Sequence, residues 1–133
     1  MPKKTQHIRA ILIDPFEEKV RELNLNNDLQ TIYETIGCEL ITITGMTRKD
    51  CQLDLILDDE GLLKNPETQR YFKYKLFSQP FAGRALITCS DRGGNCASVP
   101  AHVSAAEIEQ DIIWYKPQQQ ELDATMEVKV YPL

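Results

Sequence analysis

The sequence has little of what the commonest catalytic and metal-binding chemistries need. Histidine occurs only twice, as His7 and His102, so few imidazoles are on hand as bases or ligands. Cysteine occurs four times, at Cys38, Cys51, Cys89 and Cys96, and no two are in C-x-x-C spacing. That excludes a zinc ribbon and a thioredoxin-like redox pair. No apolar run reaches the roughly 18 residues that a membrane-spanning helix requires. The amino-terminal segment Met1-Pro2-Lys3-Lys4-Thr5-Gln6 lacks the apolar stretch and small-residue cleavage site of a signal peptide, so the cytoplasm is the expected location.

Positive charge is also scarce. Fifteen Lys and Arg stand against twenty Asp and Glu, for a net charge of −5. Nucleic-acid binders draw most of their affinity from phosphate neutralisation, and here basic runs such as Lys3-Lys4 and Arg70 to Lys75 are short. A nucleic-acid surface is therefore not expected. The acidity is too mild for a mimic of DNA.

What is present is the make-up of an ordinary globular domain: 133 residues, 42% hydrophobic and 26% charged. A chain of that length buries enough surface to fold without staples, and a single domain over 1–133 is expected. Ile8 to Asp14 is apolar on both faces and reads as a central strand. Asp14-Pro15 signals a turn, and Lys19 to Leu25 returns as a second strand. Asn27 caps a helix whose apolar face is Leu29, Ile32, Tyr33 and Ile36, stopped by Gly37. Glu39 to Thr44 reads as a strand and Gly45 to Asp50 as a polar loop. Leu53, Leu55 and Leu57 alternate with Asp54, Ile56 and Asp58, which predicts a strand with one buried face.

Asp58-Asp59-Glu60-Gly61 is a turn, and Asn65-Pro66 ends the apolar pair after it. Gly83 to Cys89 is another strand, followed by a loop with Gly93-Gly94 and a short strand from Cys96 to Val99. Ser104-Ala105-Ala106-Glu107 is a capping box, opening a second helix through Ile108, Ile112 and Tyr115 that Pro117 stops. Gln118-Gln119-Gln120 connects to a closing strand with Met126, Val128 and Val130 on one face. Its free edge would allow two copies to pair, so a homodimer is one expectation. The order β-β-α-β-β-β-β-α-β predicts an α+β fold, a mostly antiparallel sheet with two short helices packed on it.

The segments Ile8 to Pro15, Ile32-Tyr33, Ile36-Gly37-Cys38, Asp58 to Lys64 and Gln79 to Ile87 stand in an order that resembles a domain family of unknown function found in phages, plasmids and other mobile elements. The resemblance spans roughly residues 8 to 99, leaving 100–133 as a carboxy-terminal helix and strand extension. It implies a mobile-element setting. It carries no activity and transfers no catalytic residues.

Few residues suggest chemistry. Asp58, Asp59 and Glu60 offer oxygen ligands, but their spacing does not fit a calcium loop, and a solvated turn is the plainer reading. A Cys89-Cys96-His102 zinc site lacks a fourth ligand, so core thiols and a surface histidine are expected instead. Gly93-Gly94-Asn95 lacks the Lys and following helix of a phosphate loop. No catalytic residue, metal or cofactor is assigned. Arg70 to Phe77 places Tyr71, Phe72, Tyr74 and Phe77 among basic residues. Three readings remain open there: base stacking, a protein-binding patch, or rings that fill the core with lysines outside.

The expected function is a small non-catalytic protein that binds a host protein, one that takes part in defence among the candidates, and blocks it. Arg70, Tyr71, Tyr74 and Phe77 would be the anchors, with Asp58, Asp59 and Glu60 supplying charge complementarity. The alternative is an enzyme or nucleotide-binding protein whose site is assembled from residues distant in sequence.

Overall fold

A computed structural model describes residues 7–48, 51–65, 67–90, 93 and 96–115. The expectations for Lys3-Lys4, Pro66, Gly94, Asn95, Pro117, the glutamine connector and the closing strand with its free edge lie outside the described residues.

Alternating or wholly apolar segments form the main sheet. Its strands are β1 (His7–Asp14), β2 (Lys19–Asn26), β3 (Ile41–Arg48), β4 (Cys51–Asp58), and, later in the chain, β7 (Ala85–Ser90) and β8 (Cys96–Ala97). They lie in the order β2-β1-β7-β4-β3, with β8 added on β7, and every pairing is antiparallel. A second, three-stranded sheet is built from β5 (Tyr71–Tyr74), β6 (Phe81–Ala82) and β9 (Ile112–Tyr115), in the order β6-β5-β9. Among the described residues the α-helices are α1 (Leu29–Ile36) and α2 (Ala105–Gln110), and Gly61–Leu63 forms a single 3-10 turn. The fold is thus mostly antiparallel sheet with two short helices.

The period-two alternation of strand side chains gives the main sheet two buried faces. Ile11, Ile13, Leu53, Leu55, Leu57 and Ile87 point to one side, where they pack with Phe72 and Tyr74 of the small sheet and with Val103 and Ile108 around α2. Ala10, Leu12, Ile56 and Leu86 point to the other, where Ile32 and Ile36 of α1 cover them. This is why β1 is apolar on both faces. It also corrects the expectation of a single buried face on β4: Ile56 is 2% exposed because α1 lies over it.

The local stop and start signals act at α1 with one change. Asp28, not Asn27, is the N-cap: its carboxylate accepts from Thr31 N at 2.7 Å. Asn27 instead donates to the Cys96 carbonyl at 3.0 Å, tying α1 to β8. Gly37 ends the helix in the left-handed region, φ 80°. Ile32 and Ile36 are buried, whereas Leu29 is exposed.

Two further expectations are overturned. Gly45 to Arg48 is strand rather than loop, because the β3–β4 ladder runs unbroken from Ile41↔Asp58 to Arg48↔Cys51. Ser104 does cap α2, accepting from Glu107 N at 3.2 Å, but the helix ends at Gln110. Ile112 to Tyr115, β-branched and aromatic, leaves the helical path to pair with β5. Arg9 positions α2 from β1: its guanidinium donates to the carbonyls of Pro100 at 3.0 Å and Val103 at 2.6 Å, and pairs with Glu22. No helix among the described residues is long and apolar enough to cross a membrane.

Candidate functional site

Strand order determines which loop residues meet. β1 and β7 are neighbours, with Ile13 opposite Ala85, so the residues just past that pair, Asp14 and Arg84, come together. Asp14 caps the β1–β2 turn, its Oδ1 accepting from Phe16 N at 3.0 Å and Glu17 N at 3.4 Å. Its Oδ2 lies 3.3 Å from Arg84 Nε. The Asp14 side chain is 2% exposed and the Arg84 side chain 35%. The guanidinium also lies over the Phe16 ring, 4.6 Å from its centroid.

A second buried acid follows from the other neighbour of β7. Leu57 pairs with Ala85, and Asp58 closes β4 beside the end of α1. Asp58 Oδ1 accepts from Glu60 N at 2.9 Å, and Oδ2 is 2.5 Å from Lys64 Nζ. Lys64 also donates to the carbonyl of Gly37 at 3.3 Å. A buried carboxylate needs such a partner, since desolvation without one favours the neutral acid. Burial and then the Asp58 charge push the Cys38 thiol above its ordinary range, so it stays protonated.

Gln69 locks the turn after β4 to the segment that leads into β5. Its buried side chain donates to the Gly61 carbonyl at 2.8 Å, and its Oε1 accepts from Arg70 N at 3.1 Å. Gly83, at φ 83°, donates its N–H to the Arg70 carbonyl at 2.9 Å. Gly61 packs so closely on the chain that a Cβ there would stand 2.7 Å from the Ala82 carbonyl oxygen.

Several hollows open around these contacts, one of about 260 Å³ lined in part by Thr44, Asp59, Gly61, Gln79 and Phe81. The largest, about 410 Å³, is lined by residues that include Tyr33, Glu34, Cys38, Glu39, Glu60 and Lys64. Another of about 240 Å³ shares Gly37, Asp58 and Lys64 with it and reaches Arg84 and Phe16. A further one of about 170 Å³ shares Phe16 and adds Arg70, Tyr71, Trp114 and Tyr115. The segments that carry the family resemblance therefore meet on one region of the surface.

The residues singled out in the sequence fall unevenly on it. Asp59 and Glu60 are exposed, while the Asp58 side chain is 4% exposed and ion-paired. Arg70 is exposed and Phe77 half-buried. Tyr71 and Tyr74, proposed as surface anchors, are 5% and 0% exposed. Both sit on the middle strand of the small sheet, where Tyr74 packs into the main core and edge-on against Phe77. Desolvation accordingly raises the Tyr71 phenol above its ordinary range. The core-filling reading is the one these two positions take.

The sequence alone does not single out Asp14, Lys64, Gln69 or Arg84. Asp14, Lys64 and Arg84 lie inside the family-like segments and Gln69 outside them; the contacts of Arg84 with Asp14 and of Lys64 with Gly37 join residues far apart in the chain. His7 and His102 are exposed, and Cys38, Cys89 and Cys96 are free, half-buried thiols. Among the described residues no group of three His, Cys, Asp or Glu stands close enough to hold a metal ion.

No curated protein and no solved structure matches this chain. One family model does, over residues 8–112, which extends past Val99 to take in α2. The chain belongs to that family, described as a domain of unknown function (DUF3846).

Proposed function

From membership of that family and the surface its segments build, we propose that this domain is a non-catalytic protein-binding module of a mobile genetic element. It works in the cytoplasm by covering the surface of a host protein, a defence component among the candidates, and blocking it. The observation that carries this reading is the arrangement of exposed apolar side chains beside unbalanced carboxylates. Phe16, Leu40 and Leu63 are 42%, 52% and 68% exposed. They belong to the segments that wall the hollows, next to the exposed acids Glu39, Asp59 and Glu60. Apolar anchors within a charged rim are the anatomy of a protein interface. Asp14 and Asp58, by contrast, are each held by a cation and act as scaffold. Arg70 extends the same surface through the hollow it shares with Phe16, and Asp59 and Glu60 supply charge complementarity, which favours encounter rate and specificity.

A crosslinked pulldown from the native host, read by mass spectrometry, tests the proposal. One host protein should be enriched over an unrelated acidic domain of similar size, and Leu63→Glu should reduce its recovery. Failure to enrich any host protein above that control overturns the reading. The second reading, a ligand site assembled from distant residues, has in its favour the convergence of Gly37, Asp58 and Lys64 on the 410 Å³ hollow. A nucleotide-dependent rise in melting temperature would favour it instead.

A further inference from the structure

The two ends of the main sheet are built differently. β2, at one end, carries Lys19, Arg21 and Glu22, all exposed, and charges of this kind discourage pairing with another chain. β3, at the other end, has no charged residue from Ile41 through Thr47 and no proline. Its ladder to β4 is continuous over eight residue pairs, so no bulge twists the free edge away. Among the described residues, β4 is its only hydrogen-bonded neighbour. A long edge without charge from Ile41 through Thr47 is a template for another strand.

The side chains on this edge are complementary to themselves. Ile41, Ile43 and Gly45 share the face that α1 covers farther in, because Ile43 lies opposite Ile56 of that core. Ile43 is nevertheless 58% exposed. At Gly45 there is open space, with no atom within 4 Å of where a Cβ would stand. A two-fold axis perpendicular to the sheet pairs antiparallel strands so that residues on one face oppose residues on the same face. Centred on Ile43, that symmetry sets Ile43 against its own mate, Thr42 against Thr44, and Ile41 against Gly45. The exposed isoleucine is then covered, and the side chain of Ile41 enters the space that Gly45 leaves. No like charges are opposed within this stretch.

We propose that β3 is the edge through which two copies of this chain pair, antiparallel and centred on Ile43, to make one continuous sheet across a two-fold axis. This edge adjoins the surface proposed for host binding, since Glu39 and Leu40 lead directly into β3; its test reads the mass of the pure chain and so stands or falls apart from the host pulldown.

Sedimentation of the full chain over a wide concentration series tests it. The mass should rise from 15.2 kDa to about twice that value. Ile43→Lys places two ammonium groups at the axis and should weaken the dimer roughly tenfold or more. Ile43→Glu should do the same, and an equimolar mixture of the two variants should restore association. Gly45→Val fills the space meant for Ile41 of the second copy. It should weaken the dimer while the monomer's melting temperature holds or rises, and it carries the test if Ile43→Lys fails to fold. A wild-type chain that stays at 15.2 kDa overturns the proposal. So does a dimer that survives Ile43→Lys and Gly45→Val, or a Lys/Glu mixture that stays monomeric.

Discussion

The side-chain amide of Gln69 donates to the carbonyl of Gly61 at 2.8 Å, inside the protein, and joins the turn after β4 to the segment that leads into β5. Gln69→Ala leaves that carbonyl buried without its donor, so a loss of about 1–3 kcal/mol is expected. Gly61→Ala should cost about as much by a different route, since its methyl would stand 2.7 Å from the Ala82 carbonyl oxygen and force the chain apart. Urea unfolding of each variant measures both. If either variant unfolds at the wild-type midpoint, this lock does not hold the surface together.

The Asp14–Arg84 pair gives a second expectation. Arg84→Ala removes the cation from a carboxylate whose side chain is 2% exposed, while the two backbone N–H donors of the turn remain. Because Arg84 is about a third exposed, water partly replaces it, and a loss of about 1–3 kcal/mol is expected rather than the larger value of a fully buried pair. Arg84→Lys should recover only part of this. It restores charge but not the planar group that covers Phe16. Equal stability of the Ala and Lys variants would show that packing, not charge, is what Arg84 supplies.

Glu22 gives the pH dependence. Its hydrogen bond to Arg9 holds the carboxyl below the usual carboxylate range. With the folded value depressed, the unfolded chain takes up the proton first as the solution is acidified. The stabilisation is therefore present above the unfolded value and is lost as the pH falls through the folded one. Melting temperatures of wild type and Glu22→Gln should differ at neutral pH and converge below the usual carboxylate range. Parallel curves throughout would rule out this linkage.

Features with a local cause are legible in the residues alone. The left-handed stop at Gly37 and the Ser104–Glu107 cap lie where glycine and a capping box belong. The apolar density of Ile8 to Asp14 marked a strand covered on both faces. The period-two pattern of Leu53, Leu55 and Leu57 marked the buried face of β4. The remaining features depend on which segments meet in the folded chain. The small sheet depends on β5 finding β6 on one side and β9 on the other, and that partner pulled Ile112 to Tyr115 out of the helix they otherwise extend. Strand order brought Asp14 to Arg84, and the meeting of β4 with α1 brought Lys64 to both Asp58 and Gly37. Short patterns encode what a segment prefers. Which distant segment lies beside it follows only from how two sheets and two helices exclude water together.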